Sequence, residues 1–254
     1  MKIGLKLFST NTDFYYQEAQ RLFLENCFDY IELYVVPSTL ETLEHWSKLT
    51  IPFSIHAPHS MNGFNLADKA KELSNLKIYQ EVKAFANQLG ARKIVFHGGS
   101  DGCIEETVRQ LKALHEPRAL LENKPYRAIP NKSDIKYCRG YNPEEICYAM
   151  EETKCGFCLD FAHAVCAANS QNLDIYSYIE RFLACAPSYF HLSDVDDLSS
   201  EYDSHTHLGK GALNIPWIKR KIGTTCAVTI ETEKSNPQSL DDFKKDIQWL
   251  TKLG

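Results

Sequence analysis

Short apolar runs alternate with longer stretches of helical periodicity along the chain. A short apolar run bounded by polar or glycine-containing residues is typical of a buried strand, whereas apolar residues three and four positions apart predict an amphipathic helix. The predicted strands cover residues 3–8, 30–36, 53–56, 93–97, 119–122, 156–160, 189–192 and 227–231. The predicted helices cover residues 14–26, 39–49, 67–89, 105–115, a segment that begins at Pro143, 173–185, 215–221 and 240–253.

Each of the eight predicted strands is followed by a predicted helix, and this order indicates parallel strands. A barrel of eight such units typically needs about 250 residues, and the chain has 254. We therefore expect an α/β fold, a single (β/α)8 TIM barrel over residues 1–254. A doubly wound open sheet is the alternative. It usually carries a glycine-rich loop after its first strand, whereas residues 9–12 read Ser-Thr-Asn-Thr here.

The composition is that of a globular protein, with 44% hydrophobic and 24% charged residues. A net charge of -5 offers no general basic surface to nucleic acid, although bound metal ions can make a site locally positive. No segment is apolar enough over sufficient length to cross a bilayer, so we expect no membrane partner. The strand-like N-terminus lacks the apolar region and cleavage site of a signal peptide.

The nine cysteines have no regular spacing, which predicts free thiols and a cytoplasmic location. Cys155 and Cys158 match the C-x-x-C pattern, but they lie in or beside a predicted strand. Residues three apart in a strand face opposite sides. We therefore do not expect this pair to form a redox or zinc site.

Metal-capable side chains collect where the predicted strands end. His56, His97, Glu122, Asp160, His191 and Glu231 stand at or near the ends of the third to eighth predicted strands. Barrel active sites lie at the C-terminal ends of the strands. Imidazole and carboxylate groups are zinc ligands, so the sequence predicts a metal site at the barrel mouth.

Three further candidate ligands lie in loops that follow these strands. His163 comes three residues after Asp160, and Asp203 and His205 follow the seventh strand. Residues two apart in an extended segment point the same way, so Asp203 and His205 could reach one ion together. Gly209 would let the backbone turn tightly behind them.

Each candidate also has a structural interpretation when it is taken alone. His97 could be an ordinary rim histidine, Glu122 a paired carboxylate, and Asp160 a helix cap. Nine such residues in one place nevertheless favour metal, and they are too many for one zinc ion, which takes about four ligands. Four carboxylates against three dications would leave a charge of about +2, which would attract an anion such as phosphate.

The residues resemble those of the endonuclease IV family, the family-2 apurinic/apyrimidinic endonucleases of the xylose isomerase-like barrels. The matching segments follow the family's order: Ile55-His56, Phe96-His97-Gly98, Leu121-Glu122-Asn123, Leu159-Asp160-Phe161-Ala162-His163, His191-Leu192-Ser193-Asp194, Asp203-Ser204-His205, Leu208-Gly209-Lys210-Gly211 and Ile230-Glu231-Thr232.

This resemblance implies three zinc ions and a reaction. The first zinc would be held by His56, His97 and Glu122, the second by Glu122, Asp160, His191 and Glu231, and the third by His163, Asp203 and His205. Glu122, Asp160 and Glu231 are the implied catalytic carboxylates. The implied activity is DNA repair, in which a metal-bridging hydroxide cuts the phosphodiester 5′ to a flipped-out abasic site.

The family's DNA-contacting loops are not matched. Residues 57–61 replace an aromatic-plus-leucine wedge, and residues 124–127 replace a glycine-rich turn. Residues 37–39 lack the usual arginine, and the first strand lacks Gly-x-His-x-Ser. The true substrate therefore stays open.

A basic and aromatic loop at residues 124–142 is predicted to lie over the mouth. Basic residues among aromatic ones suit a nucleic-acid backbone and its bases, although a solvated lid is an equal alternative. Lys210 is a further candidate phosphate contact, or a solvent-facing lysine. The candidate nucleic-acid contacts are Lys124, Tyr126, Arg127, Lys136, Arg139 and Lys210, with Lys132, Tyr137 and Tyr141 in the same loop beside Asp134.

A sugar or sugar-phosphate isomerase or epimerase of the same barrel superfamily is the alternative. It would hold one Mn²⁺ or Mg²⁺ and use two carboxylates to move a proton beside the carbonyl of a small sugar. His97, Asp203 and His205 would then have no role at the metal. A non-catalytic metal-binding or scaffold protein is the third possibility. The isomerase alternative rests on a resemblance at four ligands of one metal ion, Glu122, Asp160, His191 and Glu231.

Overall fold

The structure is a computed structural model that describes residues 1–128 and 136–253. Eight parallel strands pair in sequence order and close into a barrel, because β1 also pairs with β8. The predicted (β/α)8 barrel is confirmed. That residues 1–254 form one domain stays a prediction. The strands are β1 (Lys2–Phe8), β2 (Tyr30–Tyr34), β3 (Phe53–His56), β4 (Ile94–His97), β5 (Ala119–Glu122), β6 (Gly156–Asp160), β7 (Tyr189–Leu192) and β8 (Ala227–Ile230).

Helices surround this barrel, and most of them lie where the periodicity predicts them. The described α-helices are α1 (Phe14–Leu24), α2 (Leu43–Trp46), α3 (Glu72–Gln88), α4 (Ile104–Leu114), α5 (Pro143–Thr153), α6 (Phe161–Ser170), α7 (Ile175–Ala184), α8 (Ile215–Ile222) and α9 (Asp241–Lys252). None of them is long and apolar enough to span a membrane.

Two predicted helices are shorter than the pattern suggested. The segment predicted as 39–49 is a 3-10 turn (Leu40–Thr42) followed by the single turn of α2. The segment predicted as 67–89 begins with another 3-10 turn (Lys69–Lys71), and its α-helix starts only at Glu72. Apolar spacing predicts which face is buried, but it does not distinguish the two helix types at a helix start.

α6 was missed because it follows β6 without a turn residue between them. Its alanine-rich sequence favours a helix. Asp160 starts it by accepting a hydrogen bond from the backbone N–H of His163 at 2.7 Å. The last residue of the strand is therefore also the cap of the helix, and His163 is brought back over the barrel mouth.

The alternation along the strands divides the barrel into an outer shell and an inner column. Leu5, Leu7, Ile31 and Leu33 belong to the large apolar core of the chain. The residues between them, such as Glu32, point to the opposite face of the strand. A second, smaller apolar cluster fills the lower interior and contains Tyr30, Val95, Leu120, Cys158 and Tyr189.

Between this second apolar cluster and the C-terminal mouth, the inward-facing positions carry charged side chains. Within this cluster, the hydroxyl groups of Tyr30 and Tyr189 each form a hydrogen bond with the hydroxyl of Thr229. The Tyr189 hydroxyl also forms one with the hydroxyl of Ser54. The Thr229 hydroxyl then donates to Glu32 at 3.0 Å. The polar column is therefore supported from below, and its groups face the C-terminal mouth of the barrel, where barrel active sites lie.

Candidate metal centre

Glu122, at the end of β5, lies at the centre of the polar group. Its Oε2 is 3.0 Å from Nε2 of His56 and 2.8 Å from Nε2 of His97. Its Oε1 is 3.0 Å from Nδ1 of His163 and 3.5 Å from Nδ1 of His191. The two oxygens therefore face two different pairs of imidazoles, as a carboxylate that bridges two metal ions would.

Asp160 caps α6 and still leaves one carboxylate oxygen available as a candidate ligand. One oxygen, Oδ1, caps α6, while Oδ2 is buried without a hydrogen-bond partner in the described part of the chain. Asn123 fixes the strand end, because its amide accepts from the Asp160 N–H at 2.7 Å and donates to the Asp160 carbonyl at 2.9 Å. The cap and the candidate ligand are thus the same carboxylate.

His191 connects the centre to the first two strands. Its Nε2 is 3.0 Å from Oε2 of Glu32, and its Nδ1 is 3.1 Å from Oε1 of Glu231 without hydrogen-bond geometry. The ammonium of Lys6 lies 2.5 Å from Glu32 and 2.6 Å from Glu231. Lys6 and Glu32 are buried, so this ion-pair network belongs to the interior of the site.

Asp203 and His205 come together by a different geometry from the one expected. The extended-segment argument was wrong, because His205 has a left-handed backbone with φ of +48°. Asp203 Oδ1 instead accepts from the His205 N–H at 3.2 Å, and Oδ2 lies 3.0 Å from His205 Nε2 and 3.3 Å from His163 Nε2. A local turn therefore places both side chains beside His163.

The loop that carries these two residues is held by one buried carboxylate, Asp194. Its oxygens accept hydrogen bonds from the backbone N–H groups of Val195, Gly209, Gly211 and Leu213 at 2.9 to 3.2 Å. A Cβ atom at Gly211 would lie 2.2 Å from the carbonyl oxygen of Val195. Glycine is therefore required there by the close approach of the backbone.

Burial and mutual charge displace the pKa values of neighbouring groups in opposite directions. Burial raises the pKa of Asp160 to about 6, helped by the charge of Asp203. Burial alone would lower the pKa of His163, but the charge of Asp160 and the hydrogen bonds to Asp203 and Glu122 together outweigh it and raise that pKa to about 10. Burial and the ammonium of Lys124 lower the pKa of His97 well below its usual range. Opposed shifts of this kind are typical of functional sites.

The donor set fits a divalent metal. Four candidate ligand atoms are buried without a hydrogen-bond partner among residues 1–128 and 136–253, namely Asp160 Oδ2, His191 Nδ1, Asp203 Oδ2 and His205 Nδ1. Buried polar atoms normally have partners, and these atom types are zinc ligands. Ligand atoms converge within 4.8 Å in three groups: Glu32, His56, His191 and Glu231; His56, His97 and Glu122; and Glu122, Asp160 and His163.

The structure brings the nine sequence-predicted ligands to one mouth and adds residues that the sequence reasoning missed. Lys6 and Glu32 occupy inward positions of β1 and β2, inside runs whose other residues are mostly apolar. A charged residue inside an apolar run was the signal that could have found them. His59 and Lys234 also line the mouth, and no pattern in the sequence singled them out.

A cavity of about 430 Å³ opens in front of the candidate ligands. This volume is within the usual range for a small-molecule site. Phe8, Tyr15 and Tyr34 form an aromatic part of its wall, and Lys234 lies on the β8 side. A smaller cavity of about 160 Å³ on the side of Pro125 shares several of the candidate ligands.

The described parts of the basic and aromatic loop are largely committed to internal contacts. Tyr126 stacks on Tyr137, with ring centroids 5.0 Å apart, and also contacts Tyr141. Arg127 lies 3.1 Å from a carboxylate oxygen of Glu201. Fewer of these aromatic and basic side chains are therefore available to contact the bases and backbone of a nucleic acid. Residues 129–135, with Lys132 and Asp134, lie outside the described residues.

The basic candidates are spread over different places. Lys124 is in the mouth, with its Nζ 3.1 Å from His163 Nε2 and 4.0 Å from Glu122. Arg139 lies 3.7 Å from Glu145, and Lys136 is exposed. Lys210 is exposed and lines a separate surface pocket with Trp249. Only Lys124 and Arg127 of these candidates line the two mouth cavities.

His207, which follows His205 by two residues, points away from the candidate ligands. Its Nδ1 lies 2.9 Å from Oδ2 of Asp246. Thr232 donates to the same oxygen at 2.6 Å. His207 therefore joins the loop to α9.

Comparisons with known proteins place this geometry among related barrels. A family model described as xylose isomerase-like TIM barrel matches residues 24–253. Probable endonuclease 4 of Mycobacterium tuberculosis and of Mycobacterium bovis is 28% identical over 173 residues. That match covers 65% of this chain and 66% of the relative, slightly less than two thirds of its length.

Solved structures with the same fold carry different activities in their names. A D-tagatose 3-epimerase-like protein has a TM-score of 0.73 and 18% identity, covering 100% of this chain and 97% of the other. Endonuclease IV from Thermus thermophilus has a TM-score of 0.67 and 18% identity, covering 99% of this chain and 100% of the other. At these identities the likeness shows the fold alone.

Proposed function

Because this chain belongs to the xylose isomerase-like TIM barrel family, we propose that it is a zinc-dependent phosphodiesterase of endonuclease IV type. The proposed reaction is hydrolysis of the phosphodiester 5′ to an abasic site in DNA. The observation that carries the proposal is Glu122, whose two oxygens face His56 and His97 on one side and His163 and His191 on the other. A site for one metal has no use for this arrangement.

The loop-borne residues give the proposal further support. Asp203 and His205 extend the site beyond the ligands that one metal would need, and both stand beside His163. The similarity to probable endonuclease 4 also favours a phosphodiesterase over other activities of the fold. The nine proposed ligands retain the allocation given by the resemblance: His56, His97 and Glu122; Glu122, Asp160, His191 and Glu231; and His163, Asp203 and His205.

The chain would contribute mainly position and charge to this chemistry. Bound zinc would polarise the phosphoryl oxygens and stabilise the negative charge that develops on them. Lys6 holds Glu231 in place through an ion pair at 2.6 Å. Lys124, whose ammonium reaches the mouth, can donate to a phosphoryl oxygen by a charge-assisted hydrogen bond. Asn123 keeps the ends of β5 and β6 in register.

Metal content and nicking of abasic DNA test the proposal together. We expect close to three zinc ions per chain by elemental analysis, and cleavage 5′ to a single abasic site in a duplex. The same duplex with an intact nucleotide at that position is the control. Absence of nicking by the fully metal-loaded protein would exclude the abasic-site activity. Hydrolysis of bis(4-nitrophenyl) phosphate then shows whether the protein cleaves other phosphodiesters.

A sugar or sugar-phosphate isomerase or epimerase is the second candidate. The cavity of about 430 Å³ favours it, because that volume suits a small sugar better than a duplex. It would use Glu122, Asp160, His191 and Glu231 around one Mn²⁺ or Mg²⁺. One tightly held metal, together with exchange of a carbon-bound proton of a ketose in D₂O, would favour this candidate over the phosphodiesterase.

A further inference from the structure

Lys234 lies in the loop after β8 and lines the cavity of about 430 Å³. The loop is held on both sides of the lysine. The Glu233 N–H donates to the carbonyl oxygen of His205 at 2.9 Å, and the Tyr15 hydroxyl donates to that of Asn236 at 2.9 Å. The backbone of Lys234 is therefore positioned before any substrate arrives.

Three lysines line this cavity, and their surroundings differ. Lys6 forms ion pairs with Glu32 and Glu231, and Lys124 lies 4.0 Å from Glu122. Lys234 has no carboxylate within ion-pair distance among residues 1–128 and 136–253. Burial lowers its pKa to about 8, although the more distant charge of Glu231 opposes the shift. Burying a cation without a counterion is unfavourable in free energy, and an anion bound in the cavity would offset this penalty.

We infer that Lys234 forms an anion subsite for a second phosphate group of the substrate, separate from the reacting phosphodiester. The inference rests on the proposed function for the identity of the reacting group. The subsite itself depends only on the cavity and its unmatched cation. The same chemistry could come from a flanking phosphate of a nucleic acid or from the phosphate of a small sugar.

The cavity has room for a substrate with two charged groups. A volume of about 430 Å³ is within the usual range for a site that binds a small organic molecule. The aromatic side chains of Phe8, Tyr15 and Tyr34 lie in the same wall and can pack against the ring that joins the two groups. The subsite would therefore select substrates by what lies beyond the scissile bond.

Equilibrium binding to the metal-loaded full-length protein tests the subsite without requiring turnover. One pair of probes is thymidine 3′,5′-bisphosphate and thymidine 5′-phosphate, and the other is glucose 1,6-bisphosphate and glucose 1-phosphate. The members of each pair differ only in the second phosphate. The variants are Lys234→Met and Lys234→Arg, and Lys245→Met is the matched control because Lys245 pairs with Asp242 outside this cavity.

We expect the bisphosphate of one pair to bind about tenfold more tightly to the wild-type protein, as a charge-assisted hydrogen bond allows. That gain should disappear in Lys234→Met, persist in part in Lys234→Arg and be unchanged in Lys245→Met. The pair that shows the gain identifies the source of the anion. A gain that survives in Lys234→Met, or no gain in either pair, overturns the inference. Zinc content and hydrolysis of bis(4-nitrophenyl) phosphate, measured separately, decide the proposed function.

Discussion

Two sets of candidate ligands meet at this barrel mouth, and different parts of the fold place them. The strand-borne set, such as Glu122 and His191, sits where each backbone is fixed by pairing with neighbouring strands. The loop-borne pair, Asp203 and His205, depends on a turn held by Asp194. The His205 side chain is 41% exposed, whereas that of Glu122 is 1% exposed. Strand ends provide fixed positions, and the loop adds a position that can vary without disturbing the barrel.

The two sets of ligands should therefore have different roles within the proposed centre. Four of the strand-borne ligands are common to the two proposed functions, a one-metal sugar enzyme and a three-metal phosphodiesterase: Glu122, Asp160, His191 and Glu231. The loop-borne pair, with His163 and the His97 side of Glu122, separates these two candidates. Removing each kind of ligand should therefore have effects of different size.

Glu122→Gln should cause the largest loss, because one amide replaces a carboxylate that faces four imidazoles. We expect it to remove two metal equivalents and to lower phosphodiester hydrolysis by about 1,000-fold or more, since metal-borne charge stabilisation is lost. Elemental analysis and hydrolysis of bis(4-nitrophenyl) phosphate measure the two effects. Glu151→Gln, an exposed change on α5, is the control. Full metal content in Glu122→Gln would contradict the bridging role.

His205→Ala should have a smaller effect that is confined to the loop-borne position. We expect the loss of one metal equivalent and a fall in activity of about 100-fold, with the strand-borne ions retained. His207→Ala is the matched control, since His207 is two residues away and contacts Asp246 instead. If His205→Ala keeps both its metal and its activity, the loop-borne site has no catalytic part.

Asp160→Asn should change the stability of the protein, and the sign of that effect should depend on metal. Burial raises the pKa of Asp160 to about 6 in the metal-free fold, above about 3.9 in an unfolded chain. The ionisation of Asp160 therefore does not affect the free energy of unfolding below about pH 4. It lowers that free energy as the pH rises through 6, because the buried carboxyl group must then ionise. Asparagine avoids this cost and can still cap α6.

We therefore expect metal-free Asp160→Asn to gain about 3 kcal/mol in the free energy of unfolding at pH 7.5, and much less at pH 4.5. Urea unfolding at the two pH values measures the gain. With zinc present the variant should be the less stable protein, because it has lost a ligand. A gain of equal size at both pH values would show that the ionisation of Asp160 is not its cause.

Most of the strand-borne centre could be predicted from the sequence because strands impose a simple rule. Hydrophobic runs locate the strands, and parallel strands of a barrel present their C-terminal ends at one mouth. His56, His97, Glu122 and Asp160 each end a run, so their convergence follows from the fold class. Lys6 and Glu32 follow the same inward alternation but lie within their runs, where a search of run ends does not look.

The loop-borne geometry could not be predicted in the same way. The residues of the pair stand out as Asp and His two apart, yet the expected extended segment is a left-handed turn at His205. That turn depends on hydrogen bonds to Asp194 from residues up to 19 positions away in sequence. The spacing of ligand types is local information, whereas the conformation that aligns them is not.

The sequence by itself determined the barrel, the order of its strands and the residue types that meet at its mouth. These features follow from periodicity and chain length. Only the tertiary structure showed that Glu122 faces two pairs of imidazoles and that Lys6 and Glu32 enter the network. It also showed that Lys234 has no carboxylate within ion-pair distance in the described part of the chain. Distances and charge balance between strands depend on how the barrel closes, and closure joins residues that are more than 200 positions apart, as Lys6 and Glu231 are.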